Sequence, residues 1–91
     1  MSYAIVWGEE ALQRVPDEVL TQVLDCFEAA VHRLADSPTT YSRPAVFPYP
    51  PRGQVYHFHC DTPDGTRYYF AVFFYYAQNE QGLHVFDVAV A

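Results

Sequence analysis

Residues 66–77 read TRYYFAVFFYYA, an almost unbroken aromatic and β-branched run. Side chains of a strand alternate between its two faces. Tyr68, Phe70, Val72, Phe74 and Tyr76 therefore share one face, and Tyr69, Ala71, Phe73 and Tyr75 share the other. Both faces are apolar, so this is not an edge strand. One face must pack on helices. The other is too apolar to stay bare, because contiguous apolar patches of roughly several hundred Å² mark interaction sites. Its cover is a second chain, as a homodimer mate or a partner segment, or else the chain's own Phe47 and Tyr49.

Around this strand the pattern supplies the rest of a small sheet. Residues 54–60 alternate, with Tyr56, Phe58 and Cys60 on one face and Val55, His57 and His59 on the other. Asp61-Thr62-Pro63-Asp64-Gly65 is a turn between this strand and the aromatic run. A second turn at 78–82 leads to a last strand over 83–90. Residues 3–7 (YAIVW) form a first strand ended by Gly8. Residues 9–14 read as a short helix with two acids in its first turn. Pro16 suits the first position of a second helix. There Leu20, Val23, Leu24, Phe27, Ala30, Val31 and Leu34 recur at three- and four-residue steps to make one apolar stripe. That helix should end near Asp36, because Pro38 disfavours helical geometry at Ser37. Five prolines in 37–53 exclude regular helix or central strand, leaving an extended connection. The expected fold is α+β, one domain over residues 1–91, with the order β-α-α-β-β-β and helices on one face of an antiparallel sheet.

The chain has 91 residues, 51% of them apolar and 18% aromatic, enough for one core and too few for two domains. Eleven acids oppose five Arg, there is no Lys, and the net charge is -6. A protein that binds by neutralising many phosphates is not built this way, so DNA is not expected as a direct partner. The charge is unevenly spread. Residues 1–36 carry seven acids and two Arg, residues 37–60 carry Arg43 and Arg52 and no acid, and residues 61–91 carry four acids and Arg67. The middle segment interleaves its Arg with Tyr41, Phe47, Tyr49, Tyr56 and Phe58. Such interleaving serves to stack bases or to contact a partner, while packing of the rings on the sheet is the plainer account. No segment is long and apolar enough to span a membrane, and no export signal is evident. Cys26 and Cys60 lack metal-finger spacing. They read as small core residues of a reducing, cytoplasmic compartment. His57 and His59 sit at i and i+2, a spacing that suits two metal ligands, with His84 a third if register allows. Structural or partner-contact histidines account for the same spacing, and no metal is expected. No nucleotide-binding loop, HExxH or nucleophile triad is present, and no cofactor is implied.

The element order and several local signatures resemble the RelE/ParE toxin superfamily of bacterial toxin–antitoxin modules. The signatures are the opening strand Tyr3-Ala4-Ile5-Val6-Trp7, the helical hairpin closing at Leu34 and Pro38, and Gly53-Gln54-Val55-Tyr56-His57-Phe58-His59. Arg67-Tyr68-Tyr69-Phe70-Ala71-Val72-Phe73-Phe74 and the final Val85-Phe86-Asp87-Val88-Ala89-Val90 follow. The resemblance implies a toxin-like protein that binds a cognate antitoxin and inhibits translation by ribosome-dependent mRNA cleavage. Family members of that kind hold the mRNA phosphate and assist attack by its 2′-hydroxyl with Arg, Lys, Tyr or His on the open sheet face. The matching positions are His57, His59 and Arg67 as catalytic residues. Near neutral pH an imidazole supplies the general acid or base and Arg67 the transition-state charge. Arg43, Arg52, Tyr49, Phe73 and Tyr75 are the expected contacts to RNA or to a partner. The family's further basic residue and aromatic after the last strand are not supplied by this sequence, which ends at Ala91. The alternative is a non-catalytic RelE-like domain whose open face binds protein or forms a dimer.

Overall fold

The aromatic run forms the middle of a sheet. In the computed structural model, which describes residues 2–45, 53–77 and 81–91, the elements are β1 (Ala4–Trp7), α1 (Asp17–Gln22), α2 (Leu24–Asp36) and α3 (Pro38–Tyr41). They are followed by β2 (Arg43–Pro44), β3 (Gln54–Asp61), β4 (Arg67–Tyr76) and β5 (Gly82–Val90). The strand order is β1-β5-β4-β3-β2, which puts β4 at the centre. The molecule is α+β, as its patterning requires.

The sheet is mixed rather than antiparallel. β3, β4 and β5 form an antiparallel meander, and β1 joins β5 in parallel, with Ile5 opposite Leu83 and Trp7 opposite Val85. The reason is topological. A helical crossover separates β1 from the meander, and such crossovers deliver parallel neighbours. β2 adds a fifth strand of two residues beside β3. It is a short edge ending in a proline, where a missing N–H costs nothing.

The helices also depart from expectation. Residues 9–14 are successive turns, closed by bonds such as Ala11 N–H to Gly8 O at 3.1 Å and Val15 N–H to Leu12 O at 3.1 Å. Boxed between Gly8 and Pro16, the segment is too short to support a helical nucleus. The long helix divides at Val23, whose φ of -123° lets its N–H bond Leu20 O, three residues back. A one-residue junction is not the loop of a helical hairpin. The 37–53 connection is not wholly extended either, because Pro38 starts the single turn α3.

The core lies between the helical layer and one sheet face. Val23, Phe27, Ala30 and Leu34 project from the helices, and Ala11 and Val15 from the preceding turns. They meet Tyr56, Cys60, Phe70, Val72, Phe74, Leu83, Val85 and Val88 from the sheet. Phe27 packs edge-on against Phe58 and Phe70, with ring centroids 5.8 and 5.4 Å away. Offset and edge-on aromatic pairs add to the burial energy of their rings.

Cys26 of α2 and Cys60 of β3 form a disulfide, with Cα atoms 5.9 Å apart. This corrects the reading of two reduced core thiols. The stripe that turns α2 toward the sheet brings Cys26 over Cys60, and no spacing rule exposes a pair so distant in sequence. Among the described residues, no helix is long and apolar enough to cross a membrane.

Candidate functional site: the open face of the sheet

Pleating and register together fix which side chains stand on the face away from the helices. Directly opposed residues of neighbouring strands lie on one side. One row holds Asp61 and Arg67, and the next His59 and Tyr69. A third runs His57, Ala71, Ala89, and a fourth Arg43, Val55, Phe73, Asp87. The last holds Tyr75 and His84, with Val6 of β1 beside them. Between Phe73 and Phe74 the pairing skips Phe86, a bulge that turns its ring toward this face. The Phe86 ring lies 6.4 Å from Phe73 and 5.9 Å from Tyr75.

The face thus has two aromatic–imidazole ends and a low middle. Ala71, Ala89 and Ala91 form the floor, flanked by His57 and Tyr69, of a shallow depression of about 230 Å³. At one end the His59 and Tyr69 rings lie 6.1 Å apart. At the other, Tyr75 stacks on His84 at 5.1 Å and its hydroxyl lies 3.1 Å from His84 Nδ1. Tyr69 is 57% exposed, the most exposed large hydrophobic side chain among the described residues. Val55 is buried and Phe73 half-buried.

The charged groups are organised as pairs. Arg67 donates from Nε and Nη2 to the two Asp61 carboxylate oxygens at 2.8 and 3.2 Å. That hydrogen bonding holds the Asp61 carboxyl below the usual range, and with Tyr69 it raises the Arg67 guanidinium. Arg14 makes a similar two-point pair with Asp87, at 3.1 and 2.6 Å. Arg43 stands exposed beside Val55 at the β2 edge.

The register places His57, His59, Arg67, Arg43, Phe73 and Tyr75 on one face. Tyr49, Arg52 and Phe47 lie outside the described residues. His84 shares the face but pairs with Tyr75, four residues along β4 from Ala71, or roughly 13 Å at the usual strand rise. It does not complete a set with His57 and His59. Among the described residues, no three His, Cys, Asp or Glu side chains converge as metal ligands.

The acid that holds Arg67 is the residue missed from sequence. Asp61 continues the His57, His59 alternation onto the same face, which was the available signal. Chemically the face offers imidazoles and phenols for proton transfer or ring contacts. Arg67, in the end row of the face, is already paired with Asp61. No family model, curated protein or solved structure matches the chain.

Proposed function

We propose that this chain is a RelE/ParE-like protein-binding domain, the toxin-type partner in a toxin–antitoxin pair, which engages a cognate antitoxin through the open sheet face. The observation that carries this reading is the Asp61–Arg67 pair beside exposed Tyr69. An mRNA-cleaving face needs its guanidinium available to phosphate. Here a carboxylate holds it in two-point geometry, the strong form of such contacts, in a chain of net charge -6. Exposed tyrosines and histidines around an alanine floor instead suit a protein interface, whose centres favour aromatics over charge.

The second reading, ribosome-dependent mRNA cleavage, is favoured by the presence of His57, His59, Tyr69 and Arg67 on one face. Induced expression in a bacterial host separates the two. The binding reading expects growth to continue with the parent chain. Growth arrest relieved by His57→Ala, His59→Ala or Arg67→Ala, in variants that still fold, would establish cleavage instead.

A further inference from the structure

We propose that the outer edge of β1 and the groove beside it dock an extended, basic segment of another protein, which adds a strand to the sheet. This surface lies on the helix side and is independent of the open-face reading.

The two edges of the sheet are not alike. β2 is short and carries Arg43 and Pro44, both of which blunt an edge against pairing. β1 reads AIVW and carries neither charge nor proline. Its Ala4 and Gly8 N–H groups donate to Gln81 and Val85 of the β5 side at 2.8 and 2.7 Å. In a parallel ladder alternate residues bond the same neighbour, so the backbone groups of Ile5 and Trp7 point outward. Tyr3 N–H is tied to Ala35 O at 2.8 Å, which closes the edge at that end.

A groove of about 380 Å³ runs along this edge, between β1 and α2. Tyr3, Ile5, Trp7, Phe27, Val31 and Ala35 line it. Trp7 stacks on Phe27 at 6.1 Å and remains 40% exposed. A strand laid on Ile5 and Trp7 would place alternate side chains in this groove, the recurring way in which sheets capture extended peptides.

Charge selects the occupant. Glu9 and Glu10 follow β1 at one end, exposed Glu28 stands on the groove rim, and exposed Asp36 adjoins Ala35 at the other end. The rim offers His32 as its one basic group among the described residues. A second copy of this chain would set these acids against their own mates. A segment alternating apolar residues with arginine or lysine would satisfy the backbone edge, the groove and the acids together.

Trp7 is the only tryptophan, so its emission reports the groove directly. The full chain is titrated with a short capped peptide alternating valine with arginine and threonine. The expected result is a saturable blue shift. Binding should fall by about tenfold or more when glutamate replaces the peptide's arginines, or when its pairing N–H groups are methylated. Glu28→Lys should weaken the basic peptide while leaving the melting curve unchanged. No shift, an equal response to the acidic peptide, or a shift on concentrating the chain alone with a doubled scattering mass would overturn the proposal.

Discussion

At the scale of single residues, backbone geometry is more demanding here than side-chain chemistry. A Cβ on Gly8 would meet the Val85 carbonyl oxygen at 2.9 Å, where Gly8 N–H is itself bonded. Gly8→Ala should therefore cost about 1–3 kcal/mol, the usual toll of overpacking, read as a lower urea midpoint. Gly65 has a φ of +92° in the β3–β4 turn, a conformation that glycine adopts freely. Around it the Thr62 hydroxyl bonds Asp64, and Thr66 N–H donates to both side chains. Those bonds hold Asp64 below its ordinary range, as Arg67 does for Asp61. For a depressed carboxylate, the stabilisation is complete above its unfolded value, about 3.9, and is lost as pH falls through the folded value. Stability should thus decline below about pH 4. Denaturation of Asp64→Asn and Asp61→Asn should show a smaller decline than the parent over that range. An equal decline would remove these groups as its source.

At the scale of elements, the disulfide is the strongest constraint on how α2 meets the sheet. It closes a loop of sequence separation 34. Loop-closure entropy assigns such a cross-link about 3–4 kcal/mol. Reduction, or Cys26→Ser with Cys60→Ser, should lower the melting temperature sharply while far-ultraviolet dichroism at low temperature stays near that of the parent. An unchanged melting temperature would contradict the role given to the bridge. The meander was legible in the sequence from period-two alternation and the turn residues between its strands, but the β4–β5 register was not, because a bulge shifts it between Phe73 and Phe74. The break at Val23 was not legible, because residues on either side continue the same apolar spacing. The parallel β1–β5 pairing was hidden for a different reason. It joins the two ends of the chain, and no local signal encodes a partner so remote. The disulfide was invisible in the same way.

For the whole molecule, function follows from which surfaces are left uncovered among the described residues. One sheet face is consumed by the core, and the other presents Tyr69, Tyr75, His57 and His59 around a floor of alanines. Sequence spacing placed His57 and His59 on one face, because residues two apart on one strand share a side, whereas Arg67 was grouped with them only through the family resemblance. It did not reveal that Asp61 engages Arg67, since that contact crosses the β3–β4 register. The most direct test of the account is calorimetric titration of the chain with the cognate antitoxin that the proposed function requires, sought as the product of a small neighbouring gene. The parent should bind saturably, and Tyr69→Asp should weaken binding by at least about tenfold, the loss typical of an exposed aromatic anchor, with its melting temperature unchanged. Binding by Tyr69→Asp as tight as by the parent would contradict the assignment of the open face as the partner surface.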